Sequence, residues 1–267
     1  MCGNFENGDY TPYEVYSAVV HASSVRIFFN LVAILDYECH QFDIVGTFLN
    51  AIVPNDINVY INQPTGFEDG TGRVCCLKKA LYSLQRSPLW WYQTLVPELK
   101  KLGFELLTTD GCIFKHAANG ALLLVYVDDF ALAAPTIKDI DSTADVLGGI
   151  FELKKLGEVR TFLGYSIIRD RDNRIVYIHQ GNYVNKILER FGKSNLHPVK
   201  TPWLPGRFAL PKTWEAVEYA IKLYQEEVGS INYLATGTRA DISYTIMRLG
   251  EANAGPSHAH LQLIQHL

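Results

Sequence analysis

The stretch Ala121 to Ala134, ALLLVYVDDFALAA, decides how the rest of the chain is read. Leu122 to Val125 form a short apolar run that predicts a buried strand, and Phe130 to Ala133 predict a second. Asp128 and Asp129 fall where the two strands would turn, and neither has a basic neighbour in sequence. An unpaired buried carboxylate is costly, and two side by side repel. A divalent cation offsets that cost, since hard cations such as Mg²⁺ take oxygen ligands, usually one or two carboxylates plus substrate phosphates. Aspartate is also an ordinary turn residue, so this stretch alone is evenly divided between an ion site and a plain hairpin.

Composition sets the frame around it. A chain of 267 residues has room for one large domain or two ordinary ones. With 48% hydrophobic and 19% charged residues it can bury a sizeable core. The net charge of -4 gives no overall basic field, so a nucleic-acid partner needs local basic patches. Five cysteines without a C-x-x-C pair argue against a zinc site and fit a reducing compartment, and the odd count disfavours a complete disulfide framework. The start, MCGNFENGDY, lacks an apolar signal region. The run Ile27 to Leu35 is interrupted by Asn30 and too short to span a bilayer. These features predict an intracellular protein, cytoplasmic or nuclear, neither secreted nor in a membrane.

Upstream of the Asp-Asp stretch, Ser23-Ser24 reads as the N-cap of a helix over Val25 to Leu35. Arg26 then sits in its first turn, where the helix dipole does not favour a cation. Asp43 lies between Phe42 and Ile44-Val45, in a strand leading to a turn or helix that carries Phe48. Residues 57–62 alternate as a half-exposed strand. Val74 to Gly103 reads as two helices broken at Ser87-Pro88, with Gly103 ending the second. Lys78, Lys79, Arg86, Lys100 and Lys101, interleaved with Tyr82, Trp90, Trp91 and Tyr92, make this the most basic region so far. The tryptophans themselves read as core.

Downstream, Ile137, Ile140, Ala144, Leu147 and Phe151 recur at helical spacing, and Lys154-Lys155-Leu156-Gly157 closes that helix. Tyr165 to Ile178 reads as a hairpin turned at Arg171-Asp172-Asn173. The order of elements predicts an α+β fold with helices packed on one face of a sheet. After about residue 180 the pattern changes to helices over 182–192, 217–236, 240–252 and 258–267, with a link carrying Pro198, Pro202, Pro205 and Pro211. His258 and His260 are two apart, which is not metal spacing on a helix, and read as surface residues.

If the strands of Asp43 and of Asp128-Asp129 are neighbours in one sheet, the carboxylates converge. Such a cluster suits two divalent ions about 3.5–4 Å apart that clamp the attacking and leaving oxygens of a phosphoryl transfer. In order along the chain stand HQFDIVGTFLNA at 40–51, INQPTGFE at 61–68, CLKKALYSLQRSPLWWY at 76–92, LLVYVDDFAL at 123–132 and FELKKLGEVRTFLGYSI at 151–167. YVNKILERFG at 183–192, KTP at 200–202, VGSINYLATGTRADISY at 228–244 and PSHAH at 256–260 follow. This ordered set resembles the reverse transcriptase of Ty1/copia-type retrotransposon Pol polyproteins and covers nearly the whole chain.

The resemblance implies a right-hand polymerase. Residues 1–180 would be part of the fingers and a palm with an antiparallel sheet, and 181–267 a smaller helical region like a thumb and connection. It implies addition of deoxynucleotides to a primer 3′ end on an RNA or DNA template, with Mg²⁺ or, in its place, Mn²⁺. By position, Asp43 and Asp128 would hold the metals and Asp129 would be the third acidic member. Phe48 would exclude ribonucleotides by bulk under the sugar. Tyr82, Ser87 and Pro88 would pack against the incoming nucleotide and template. Arg26 would meet the triphosphate, and Lys154 would lie near the pyrophosphate as a proton donor. Phe162, Leu163, Gly164 and Tyr165 would form the turn that grips the primer. Other Pol segments, ribonuclease H and integrase, would belong to the intact element, whose setting is a cytoplasmic virus-like particle or the nucleus.

This chain departs from the family pattern at several of these places. Val45 replaces a lysine, Thr47 an alanine, Ser83 a glycine and Leu89 an arginine, and His21 stands where the fingers usually carry Lys or Arg. Two function classes therefore stand: an active polymerase, or a remnant that keeps the fold and at most binds nucleic acid.

Overall fold

The computed structural model describes residues 10–203 and 218–267. They fall into two compact units, Met1–Val159 with Arg169–Val176, and Arg160–Ile168 with Tyr177–Leu267. The N-terminal start and the prolines Pro205 and Pro211 lie outside the described residues. No helix among those described is long and apolar enough to cross a membrane.

The first unit runs α1 (Pro12–Val15), α2 (Ala22–Ile34), β1 (Glu38–Ile44), α3 (Thr47–Asn50), β2 (Tyr60–Asn62), β3 (Val74–Cys76), α4 (Ser87–Lys101), β4 (Phe104–Leu106), β5 (Ile113–His116), β6 (Leu122–Tyr126), β7 (Asp129–Ala134), α5 (Ile137–Gly148) and β8 (Leu153–Glu158). Six of its strands form one sheet in the order β4-β5-β6-β7-β1-β8, every neighbouring pair antiparallel. The Asp-Asp stretch is the β6–β7 hairpin, as its two apolar runs require. Phe42, Ile44, Leu123, Val125, Phe130 and Leu132 enter a core with Trp91, Leu95 and Leu99 of α4 and Ile140, Ala144 and Leu147 of α5.

The sheet is covered on both faces, not on one. Successive strand residues point to opposite sides. The alternate residues Leu122, Leu124, Ala131 and Ala133 are buried as well, and α2, whose buried stripe is Val25, Phe28, Phe29 and Val32, packs against β6. The helix starts one residue before the serines, at Ala22, with His21 in the cap position, which puts Arg26 past its first turn.

Two further expectations give way to backbone pairing. Residues 74–86 are not a helix despite their leucine spacing. Val74–Cys76 pairs with Tyr60–Asn62, Leu77 N donates to Val59 O at 2.9 Å, and Ala80 N to Ala51 O at 2.9 Å. Tertiary pairing here overrides a weak local preference. Only α4 is helical, and Gly103, at φ 86°, ends it. Similarly, Lys154 to Gly157 do not close α5. They form the edge strand β8, paired with β1.

β9 (Thr161–Phe162), β10 (Tyr165–Asp170) and β11 (Ile175–His179) make a three-stranded sheet, of which Thr161–Ile168 and Tyr177–His179 belong to the second unit. Then follow α6 (Gly181–Arg190), α7 (Glu218–Gly237), a 3-10 turn (Ala240–Ile242), α8 (Ser243–Gly250) and α9 (His258–His266). Their core holds Ile187, Tyr224, Val228, Ile242, Ile246, Leu249 and Leu263, with Tyr224 donating to Leu249 O at 2.7 Å. His260 is not a surface residue. It is buried at the start of α9, where its Nδ1 accepts from Ser257 N at 3.0 Å, while His258 stays exposed.

Candidate active site

The centre of the site is a row of four cross-strand partners. Asp129 of β7 sits opposite Tyr126 of β6 on one side and Asp43 of β1 on the other, and Asp43 in turn sits opposite Lys154 of β8. Direct cross-strand partners share a face of the sheet. This is the face away from Phe42, Ile44 and Phe130, which point into the α4/α5 core. Apolar packing on one side thus fixes the acidic residues on the other.

Asp128 is in the turn that joins β6 to β7. Its carbonyl accepts from Ile44 N at 3.0 Å, which ties the turn to β1. Val127, the other turn residue, has φ 54°, a left-handed conformation that a β-branched side chain disfavours. Its carbonyl accepts from the buried indole Nε1 of Trp91 on α4 at 2.8 Å.

The three carboxylates are half-buried. Burial, then the nearby charges of Asp128 and Asp43, hold the Asp129 carboxyl above the usual range, and the hydrogen bond from Gln41 opposes them. Among the described residues no Lys, Arg or His forms an ion pair with any of the three. Carboxylates placed together without an ion-pair partner could hold a hard divalent ion. Nor are three acidic or other ligating side chains gathered, among the described residues, into a ready-made metal cluster.

Other expected residues are placed as follows. Gly46 at φ 61° turns the chain from β1 into α3, which carries Phe48. The Phe48 ring lies edge-on to Tyr82, centroids 4.9 Å apart, so these two are brought together. Thr47, buried where the family has alanine, satisfies its hydroxyl on Ile44 O at 2.8 Å. Ser87 is fully buried and its Oγ donates to Leu81 O at 2.6 Å, so it braces the 81–87 segment and presents no group to a ligand. Pro88 occupies the first turn of α4. Arg26 and Lys154 are exposed. Phe162 and Tyr165 are buried and flank a two-residue turn, Leu163-Gly164, whose residues have φ 49° and 77°. That turn belongs to the second unit, where Tyr233 of α7 donates to Leu163 O at 2.7 Å.

Sequence reading missed Gln41, whose Nε2 donates to Asp129 Oδ1 at 3.2 Å. Its signal was present: Gln41 is two residues from Asp43, hence on the same face of a strand.

The profile of the family described as reverse transcriptase (RNA-dependent DNA polymerase) matches residues 3–205. The chain belongs to the reverse transcriptase family. Over 266 residues it is 33% identical to the retrovirus-related Pol polyprotein from transposon TNT 1-94 of Nicotiana tabacum, covering 94% of this chain and 20% of that one. The corresponding protein from transposon RE1 of Arabidopsis thaliana is 31% identical, with 95% of this chain and 17% of the polyprotein covered. A putative transposon Ty5-1 protein of Saccharomyces cerevisiae is 30% identical over 224 residues, 82% of this chain and 71% of that protein. The Ty1/copia-type reverse transcriptase expected from the ordered motifs is therefore borne out, and the chain spans about a fifth of the plant polyproteins it matches.

Proposed function

We propose that this reverse transcriptase domain is an RNA-directed DNA polymerase of a copia-type retrotransposon, adding deoxynucleotides to a primer 3′ end on an RNA or DNA template. The observation that carries the reading is the pairing of Asp43 with Asp129 across the β1/β7 ladder, with Asp128 in the adjoining turn. In this reading the six-stranded sheet is the palm and the helices of the second unit are thumb- and connection-like. Asp43, Asp128 and Asp129 would hold Mg²⁺, or Mn²⁺ in its place, which supplies charge neutralisation to the transferring phosphoryl group.

The chain's own residues supply the rest. Phe48, braced edge-on by Tyr82, fills the space under the sugar that a 2′-hydroxyl would need. Arg26 and Lys154 offer cations to the triphosphate, and Lys154 is a proton donor for the leaving pyrophosphate. Pro88 shapes the nucleotide side of α4, and the Leu163-Gly164 turn grips the primer. Ribonuclease H and integrase segments would accompany it in an intact intracellular element.

A second reading, a remnant that binds nucleic acid without extending it, is favoured by Ser83. It stands at φ 72°, where a glycine is at ease and a Cβ is not. Primer extension on poly(rA)/oligo(dT) with Mg²⁺ or Mn²⁺ separates the two. Incorporation that Asp43→Asn and Asp128→Asn each abolish, with the fold kept, supports the polymerase. Template binding without any extension supports the remnant.

A further inference from the structure

The β6–β7 turn is held from two sides by two consecutive carbonyls. Asp128 O is bound by Ile44 N of β1 at 3.0 Å, and Val127 O by Trp91 Nε1 of α4 at 2.8 Å. Between these anchors Val127 keeps φ 54°, although valine is among the residues least suited to the left-handed region. Such outliers persist only where the surroundings over-determine them. Trp91 is well fixed for that task. It is buried in the core beside Val125, and its ring lies edge-on to Phe151 with centroids 5.1 Å apart.

We infer that Trp91 is a positioning residue: its indole N–H holds the strained Val127 turn, and through it sets Asp128 and Asp129 against Asp43. The inference rests on the polymerase reading for its catalytic consequence, but its structural content does not. Releasing the Val127 carbonyl lets the valine relax toward negative φ. That rotates the Val127–Asp128 peptide and displaces the Asp128 carbonyl from Ile44 N. A tryptophan that merely satisfies its own buried N–H on the nearest carbonyl makes a different prediction. In that case its loss lowers stability evenly and leaves the turn where it is.

Trp91→Phe keeps a ring against Phe151 and deletes the donor. Val127→Gly removes the strain the donor holds in place. Amide exchange is measured on the parent, on Trp91→Phe and on Trp91→Phe/Val127→Gly. Ile44 is read against Phe114, which is in the same sheet but away from the turn. The expected result is that Trp91→Phe speeds Ile44 exchange about tenfold relative to Phe114, and that the added Val127→Gly reverses it. In extension assays Trp91→Phe should lower kcat about tenfold with the dNTP KM within about twofold, and the double variant should recover most of it. Equal acceleration at Ile44 and Phe114, or no recovery with glycine, overturns the inference. A parent that extends no primer overturns the polymerase reading instead, and the exchange ratio still decides the role of Trp91.

Discussion

Gln41 donates from Nε2 to Asp129 Oδ1 at 3.2 Å, joining β1 to β7 diagonally across the ladder that carries Asp43. It favours the ionised form of Asp129, against burial and the charges of Asp128 and Asp43. Gln41→Leu should therefore raise the Asp129 pKa further. In the proposed metal-binding role Asp129 must be ionised, so the acid limb of the pH–activity profile should move to higher pH. A carboxyl NMR titration of Asp129 checks the direction without any activity. The lost hydrogen bond should cost about 1 kcal/mol in urea unfolding. An unmoved titration would mean that the amide contact is incidental.

Lys154 and Lys155 are adjacent, yet they belong to different faces. A register shift between Gln41 and Phe42 sets Lys154 opposite Asp43 and Lys155 opposite Phe42. On that second face Lys155 meets Asp145 of α5 at 2.8 Å. Lys154→Ala should raise the dNTP KM several-fold and leave stability unchanged. Lys155→Ala should leave KM unchanged and alter stability little, as an exposed pair allows. Steady-state kinetics on both variants test this, and equal effects would show that the register carries no function.

The same pair marks where sequence reading stops. The β6–β7 hairpin, the α5 helix and the α4 helix were legible because apolar periodicity and Pro88 or Gly103 punctuation are local signals. The convergence of Asp43 on Asp129 was legible only as a condition, since pairing between strands distant in sequence is set by the core they share. β8 was hidden for two reasons. LKKLGE has no clean alternation, and a one-residue bulge flips every side chain beyond it. The 74–86 segment was misread because its leucines repeat at helical spacing while its amides are committed to β2 and to Ala51. The turn conformations of Val127, Leu163 and Ser83 are likewise enforced by partners and not written in the residue types.

Ser83 shows what such enforcement costs. At φ 72° and exposed, it gains nothing visible from its side chain. Ser83→Gly should stabilise the domain by about 1 kcal/mol, less whatever glycine adds to the unfolded chain's entropy. Urea midpoints of the two proteins measure it. A destabilised glycine variant would show that the serine is held by a contact worth more than the strain.

In the second unit, burial and then the charge of Arg248 hold His260 below the usual histidine range, while Nδ1 is committed to the start of α9. With the folded pKa below the unfolded one, the unfolded chain takes up the proton first. Stability is therefore fully present above about pH 6.5 and is lost as pH falls through the folded pKa. His260→Ala should cost about 1 kcal/mol at neutral pH through the lost cap and flatten the decline on acidification. Thermal melts from pH 7 downward follow both effects. An unchanged slope would show that other groups set the acid sensitivity.

Phe48 and Tyr82 meet ring edge to ring face at 4.9 Å, so the proposed sugar gate is a pair of aromatics. An edge-on contact of this kind contributes about 1 kcal/mol and fixes ring orientation. Phe48→Ala empties the space under the sugar and should admit ribonucleotides, raising rNTP incorporation relative to dNTP at least tenfold. Tyr82→Ala leaves the bulk of Phe48 in place but frees its rotation, so discrimination should fall by a smaller factor. Because Tyr82 is half-exposed, its removal should cost little stability beyond the roughly 1 kcal/mol of the ring contact itself. Competition between dNTP and rNTP on one template measures all three proteins. If Phe48→Ala discriminates as the parent does, the ring is packing for α3 and not a gate. If Tyr82→Ala matches Phe48→Ala, the two rings act as one unit.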